Sequence, residues 1–312
     1  MNTEPDGRPG AAGGVTAVPG LKHRLFEVAG GPMSVYEAGP ADRPSVVLLH
    51  GAMYDEARFV WDQLFPHLTR SYHLFAVDTP RHGRSRPWSG FLGRQRLNDI
   101  LHATVARLGL ARFSFVGLSM GGGLAIDYAA EHPEQVAAMA LFEPGGLGAK
   151  LDKQFITWLY TLLPGALRYL NRSYAKKDDA AILKLLSSLY VGGSRPTDPD
   201  RLVALLKAEI KGKHDHAEND LDDWQLSFIG PLRLKWTLLD RLPLLRCPTL
   251  WLRGADSALV KQDEMERAVA LARTGGSAAT LQVVGHAGHL LPLERPAEAT
   301  AAVQAFLDAT LL

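Results

Sequence analysis

Six short apolar runs, most of them separated by stretches with helical periodicity, restrict the possible fold of this chain more than any other feature. Their apolarity is continuous rather than alternating, which is expected of parallel strands buried on both faces. The runs occupy residues 45–50, 72–78, 113–119, 136–143, 248–254 and 280–285. This alternation predicts an α/β fold with right-handed crossovers and a mostly parallel, doubly wound sheet.

The alternation is interrupted over residues 147–238, where the sequence predicts helices only. We therefore divide the chain into a flexible tail (1–20), a core (21–146 and 239–312) and a helical cap (147–238). In such a sheet, reactive groups gather at the carboxyl ends of the strands. A helical insertion at that edge would cover the crevice.

Charge and cysteine content limit the expected partners. The chain has 34 Lys and Arg against 33 Asp and Glu, a net charge of +1, which gives no reason to expect nucleic acid or a membrane as a partner. Its single cysteine, Cys247, cannot form an internal disulfide, which is typical of a reducing compartment. We expect a cytoplasmic protein with a small-molecule substrate, and a homodimer is compatible with the sequence.

The stretch FVGLSMGGG, residues 115–123, contains a serine between glycines. Its GLSMG matches the G-x-S-x-G nucleophile elbow, with a strand-like run before it and a helical run after it. We predict that Ser119 is a nucleophile, and that side chains at positions 117 and 121 would collide with neighbouring backbone. Free N–H groups at the start of the next helix favour negative charge beside this serine.

A serine hydroxyl needs a base to take its proton. The stretch VVGHAGHLLPLERP offers His286 and His289, and we favour His289 because a loop there can fold back over the strand ends. His286 lies closer to the strand and is predicted to be structural. An oxyanion hole is predicted from the backbone N–H groups of Ala52 and Met120.

The strings VVLLHGAM, AVDTPRHGRS, GLSMGG, PTLWLRGAD and GHAGHLLPLERP, in this order, resemble the α/β-hydrolase superfamily in its serine-hydrolase branch. The resemblance covers about residue 24 to the C-terminus. Within the superfamily, the chain is similar to capped esterases and C–C bond hydrolases. It implies a catalytic acid between the serine and the histidine.

The identity of that acid stays open. The family usually has Asp three residues beyond the glycine of a run such as PTLWLRG, whereas here Asp256 follows Gly254 by two. The sequence favours Asp256, with Glu143 in ALFEPGG as the alternative. Asp263 is a weaker candidate because it reads as a helix N-terminal residue.

The resemblance implies a carboxylesterase-like enzyme that cleaves an ester or thioester of a small apolar or aromatic substrate through an acyl-enzyme. Alternatives are a cofactor-free lyase, cyclase or C–C bond hydrolase, and a non-catalytic ligand-binding protein. No nucleotide-binding or Cys-pair motif is present, and His214, Asp215 and His216 lack the spacing of a zinc protease site, so we expect neither cofactor nor metal.

Overall fold

The computed structural model describes residues 3–4, 18–188, 195 and 198–312. Most of the tail predicted for residues 1–20 lies outside these ranges. Within them, one sheet has the strand order β1-β2-β3-β5-β4-β6-β7-β8-β9. The strands are β1 (Thr3–Glu4), β2 (Lys22–Val28), β3 (Gly31–Ala38), β4 (Ser45–Leu49), β5 (His73–Asp78), β6 (Phe113–Leu118), β7 (Val136–Phe142), β8 (Thr249–Gly254) and β9 (Ala279–Val284).

The six apolar runs correspond to the parallel part of this sheet. Strands β4 to β9 pair in parallel, whereas β1, β2 and β3 form an antiparallel extension that joins β5. Every residue of β5, β6 and β8 is buried, as continuous apolarity predicts. Strand β9 is partly exposed because it lies at the edge.

Helices cover both faces of the sheet, which confirms the predicted doubly wound α/β fold. Alternate residues of β4 point to opposite sides: Val47 and Leu49 join one core cluster, and Val46 and Leu48 join the other. The first cluster includes α3 (Arg94–Leu108), α4 (Met120–Glu131) and α10 (Gln262–Thr274). The second includes α1 (Ala57–Val60), α2 (Phe65–Leu68) and α12 (Pro296–Leu311). Two short elements complete the core, a 3-10 helix (Leu242–Leu244) and α11 (Leu291–Glu294).

Five described α-helices lie between β7 and β8. They are α5 (Gln154–Leu162), α6 (Ala166–Tyr174), α7 (Asp179–Ser188), α8 (Pro199–Asp215) and α9 (Asp223–Phe228). The patterns KQFITWLYTLL, DAAILKLLSSLY and DRLVALLKAEI predict α5, α7 and α8. The turn-like string NRS lies inside α6, and α9 has no counterpart among these predicted helices. None of the described helices is long and apolar enough to cross a bilayer.

A buried ion pair lies inside this helical region, and its carboxylate also binds the core. The ammonium of Lys213, on α8, lies 2.7 Å from Oδ1 of Asp222, which precedes α9, and the Lys213 side chain is 1% exposed. The other oxygen, Oδ2, accepts a 2.6 Å hydrogen bond from the backbone N–H of Met53 and lies 3.2 Å from Nε2 of His82. Burial alone would raise the pKa of Asp222, but Lys213 and His82 hold that pKa well below its usual range.

We expect Asp222→Asn to lower the free energy of unfolding at neutral pH by about 3–5 kcal/mol, because it leaves the Lys213 charge buried without a counterion. Since the folded-state pKa of Asp222 is lowered, its contribution is present above the ordinary carboxyl pKa and is lost as the pH falls through the folded-state pKa. Urea unfolding across the acid range should therefore show the gap between wild type and variant closing as the pH falls.

Asp223→Asn is the matched control, because Asp223 begins the same helix and also joins it to the core. It accepts hydrogen bonds from Arg81 and from the N–H of Leu92, and the Arg81 side chain is 20% exposed, so it can be rehydrated. A smaller loss of stability is expected. Equal losses at all pH values in both variants would contradict the assigned role of the Lys213 charge.

Candidate active site

Ser119 occupies the turn between β6 and α4. Its φ of 51° and ψ of −113° are unfavourable for a residue with a side chain. The flanking glycines permit this turn: a Cβ on Gly117 would lie 2.8 Å from the carbonyl oxygen of Gly121, and one on Gly121 would lie 2.2 Å from that of Leu49. Both collisions predicted from the sequence are therefore present.

The segment after β7 lies directly against this turn. The backbone N–H of Ser119 donates to the carbonyl of Phe142 (2.9 Å), and the carbonyl of Ser119 accepts from the N–H of Gly145 (2.8 Å). Glu143 lies between these two anchor points. Strand order therefore brings the Glu143 backbone beside the serine, because β6 and β7 are neighbours.

Glu143 holds the imidazole of His289. Its carboxylate oxygen Oε2 lies 2.7 Å from Nδ1 of His289, and the Glu143 side chain is 1% exposed. Because an ionised carboxylate only accepts hydrogen bonds, Nδ1 carries the proton and Nε2 keeps its lone pair. The Ser257 hydroxyl donates to the same oxygen (2.6 Å), and the N–H of Gly254 donates to Oε1 (3.0 Å). Three donors thus fix one buried carboxylate.

Asp256, the acid that the sequence favours, is exposed, and the structure pairs His289 with the alternative acid instead. The reason is the conformation of the loop after β8. The buried guanidinium of Arg253 binds the carbonyls of Gly254, Ala255, Ser257 and Val260. In this loop it is Ser257, not Asp256, whose side chain reaches Glu143.

The other sequence candidates lie apart from this contact. Asp263 is in the first turn of α10, as its sequence context indicates. His286 is exposed and has a φ of 54°. His214 and Asp215 belong to the end of α8, and no group of three or more metal-ligating side chains occurs in the part of the chain that the structure describes.

The loop after β4 approaches the elbow closely. A Cβ on Gly51 would lie 3.7 Å from Cβ of Ser119, and the N–H of Gly121 donates to the carbonyl of His50 (3.0 Å). Ala52 follows in this loop, and Met120 is the first residue of α4, so its N–H has no partner within the helix. Both N–H groups thus belong to segments that meet at Ser119.

His50 organises this loop. Its Nε2 accepts a hydrogen bond from the N–H of Thr79 (3.0 Å), so Nδ1 carries the proton and donates to the carbonyl of Gly51 (2.7 Å). Burial, together with the neighbouring His82, lowers the pKa of His50 to about 3. A neutral imidazole with both nitrogens engaged is a structural group, not a base.

Two further carboxyl groups support the same loop, although no sequence motif indicates either of them. Asp55 accepts the N–H of Gly51 (2.6 Å), and burial raises its pKa well above the usual range. Asp222 accepts the N–H of Met53, whose φ of 68° is left-handed. The residues on either side of Ala52 are therefore both held by buried side chains.

Aromatic residues from the helical region pack over the elbow. Trp224, Phe228 and Trp236 contact one another edge to face, with ring centres 5.0–5.6 Å apart. A Cβ added to Gly123 or Gly145 would lie 2.9 Å from the Trp224 ring. These rings give the surroundings of Ser119 an apolar character.

Comparisons with known proteins identify the family of this fold. Residues 44–296 match the family model for the alpha/beta hydrolase fold. Monoacylglycerol lipase abhd6-B of Xenopus laevis is 33% identical over 126 residues, which are 39% of this chain and 37% of the relative, so the match spans well under half of that protein.

Two other similarities extend over most of the chain. The 2-hydroxy-6-oxo-6-phenylhexa-2,4-dienoate hydrolase of Comamonas testosteroni is 25% identical over 272 residues, covering 84% of this chain and 86% of the relative. The crystal structure of naproxen esterase from Bacillus subtilis superimposes with a TM-score of 0.68 at 22% identity, covering 92% of this chain and 91% of the esterase, which shows a shared fold. The chain belongs to the alpha/beta hydrolase fold family.

Proposed function

We propose that this protein is a serine hydrolase that cleaves a carboxylic ester or thioester of a small apolar or aromatic substrate through an acyl-enzyme. The observation that carries the proposal is the 2.7 Å contact between His289 and the buried Glu143, beside the strained turn at Ser119. The names of the lipase and esterase among its relatives also support ester hydrolysis.

In the proposed mechanism, Nε2 of His289 takes the proton of the Ser119 hydroxyl as its oxygen attacks the substrate carbonyl. The N–H groups of Ala52 and Met120 bind the developing oxyanion, an interaction worth about 3 kcal/mol per donor. His289 then returns the proton to the leaving alcohol or thiol. A water molecule, deprotonated by the same imidazole, hydrolyses the acyl-enzyme.

We assign the acid to Glu143. Its carboxylate keeps the proton of His289 on Nδ1, orients the ring and stabilises the imidazolium that forms when Nε2 gains a proton. Ser257 and Arg253 are positioning residues in this proposal: the first orients the carboxylate, and the second holds the loop that carries Ser257.

Ser119→Ala should lower kcat for short p-nitrophenyl esters by on the order of 10⁴-fold or more, because it removes the attacking oxygen and leaves only binding and the oxyanion donors. Initial rates measured with acyl chains of graded length would check this and would also show which chain length is preferred. Turnover at the wild-type rate by a correctly folded Ser119→Ala variant would contradict the proposed mechanism.

Glu143→Gln and Asp256→Asn form a matched pair that tests the acid. We expect Glu143→Gln to reduce kcat by about 10⁴-fold, because a neutral amide neither fixes the Nδ1–H tautomer of His289 nor stabilises its imidazolium. Asp256→Asn should leave kcat near that of wild type, since the Asp256 side chain is exposed. Thermal unfolding of both variants provides the folding control, and the reverse pattern of kcat values would assign the role to Asp256.

Hydrolysis of a carbon–carbon bond is the second candidate, because the relative that matches 84% of this chain is named as a hydrolase of a 2-hydroxy-6-oxo-dienoate. The two candidate functions can be distinguished by comparing kcat/KM for the dienoate with kcat/KM for the esters. Turnover of that dienoate with a higher kcat/KM than any ester in the graded series would favour the carbon–carbon reaction.

A further inference from the structure

Helix α5 turns an apolar face to the solvent. Phe155, Ile156, Leu159, Leu162 and Leu163 are each at least 46% exposed, and their spacing places them on one side of the helix. The opposite side carries the buried Gln154, which donates to the carbonyl of Gly230, and Trp158, which packs against the core. A surface helix usually buries its apolar side chains, whereas most of those on α5 are exposed.

The charge around this face is predominantly positive, although Asp178 and Asp179 follow it directly. Residues 147–177 contain six basic residues and one acidic residue, a net charge of +5. The whole chain has +1, so the remaining residues together have −4. The basic residues are Lys150, Lys153, Arg168, Arg172, Lys176 and Lys177, and all six are exposed. The near-zero net charge of the whole chain therefore does not show that positive charge is concentrated in this segment.

These basic side chains are not neutralised by neighbours. None of the six is in an ion pair with another described residue. The one acid of the segment, Asp152, instead faces Lys261, with 3.8 Å between Nζ and Oδ1. Tyr169, which is 68% exposed, lies on α6 between Arg168 and Arg172. Helices α5 and α6 contact each other, so the exposed apolar side chains of α5 lie next to the helix that carries Arg168 and Arg172.

We infer that the α5–α6 surface, defined by these five apolar residues, Tyr169 and the six basic residues, docks on an anionic lipid bilayer. Exposed Leu and Phe on a helix flanked by Lys and Arg are the features of helices that lie in the interfacial plane. At nine residues, α5 is too short to span the hydrocarbon core and would lie along the surface.

The position of the surface would bring the site close to the lipid. The Asp152–Lys261 contact joins the start of α5 to the loop that follows β8, which also carries Ser257, the donor to Glu143. Leu259 in this loop is also apolar and 70% exposed. Docking would therefore bring the loop that carries Ser257 close to the bilayer.

The test is sedimentation of the full chain with vesicles of phosphatidylglycerol mixed with phosphatidylcholine, compared with phosphatidylcholine alone. Ser119→Ala is used as the background, so binding is measured without hydrolysis. We expect binding to the anionic vesicles that weakens with added salt, and much weaker binding to the neutral vesicles. Absence of binding to the anionic vesicles, or equal binding to both kinds, would overturn the inference.

Two double variants examine the two halves of the surface. Ile156→Glu with Leu159→Glu, and Lys176→Glu with Lys177→Glu, should each weaken vesicle binding by roughly tenfold or more. The control for the lysine pair is Arg43→Glu with Arg70→Glu, which makes the same change in net charge at exposed positions outside the surface. The control for the apolar pair is Leu25→Glu, which removes an exposed apolar residue on β2. These controls should bind like the background, and equal losses in variants and controls would contradict the assignment.

Size-exclusion chromatography separates lipid from a second copy of the chain as the occupant. A concentration-dependent dimer that Ile156→Glu with Leu159→Glu abolishes would show that protein covers the face, and would overturn the inference. The inference does not rest on the proposed function. A wild-type protein that binds anionic vesicles but cleaves no ester would remove the proposed function and leave the docking surface.

Discussion

The structure of the candidate site depends on one buried carboxylate. Glu143 accepts hydrogen bonds from the Gly254 N–H, the Ser257 hydroxyl and Nδ1 of His289. The first two belong to the end of β8 and the loop after it, and the third follows β9. Without the carboxylate the buried N–H of Gly254 and hydroxyl of Ser257 would lose their acceptor, at a cost of about 1–3 kcal/mol each. The interaction that sets the tautomer of His289 is therefore also the one that joins the ends of β7, β8 and β9.

Close packing of backbone determines where the serine can be. Helix α4 begins so near β4 that only glycine fits at position 121, and the loop containing His50 and Gly51 is hydrogen-bonded to that helix. The same contacts bring the loop that contains Ala52 and the start of α4 at Met120 together beside Ser119. Neutral His50 and the buried Asp222 hydrogen-bond to the backbone of the loop after β4. Because Asp222 belongs to the helical region, the geometry of this loop depends on that region as well as on the sheet.

Much of this could be predicted from the sequence, because continuous apolarity reports burial on both faces and a glycine-flanked serine reports a tight turn. The six parallel strands, the elbow at Ser119 and the position of His289 follow from such local patterns. The partner of His289 does not. Asp256 and Glu143 both follow strands, and the path of the loop that carries Asp256 depends on Arg253, which binds four carbonyls of that loop. The exposed face of α5 was equally unpredictable, since a sequence pattern shows amphipathicity but not which face is inside.

The most direct measurement is the site of covalent labelling by a fluorophosphonate, read by intact mass and peptide mapping of the folded wild-type protein. If His289, oriented by Glu143, activates Ser119, one phosphonyl group should appear on Ser119, and labelling should be far slower in the Glu143→Gln variant. Labelling at another residue, or equal labelling rates in wild type and Glu143→Gln, would contradict the arrangement described here.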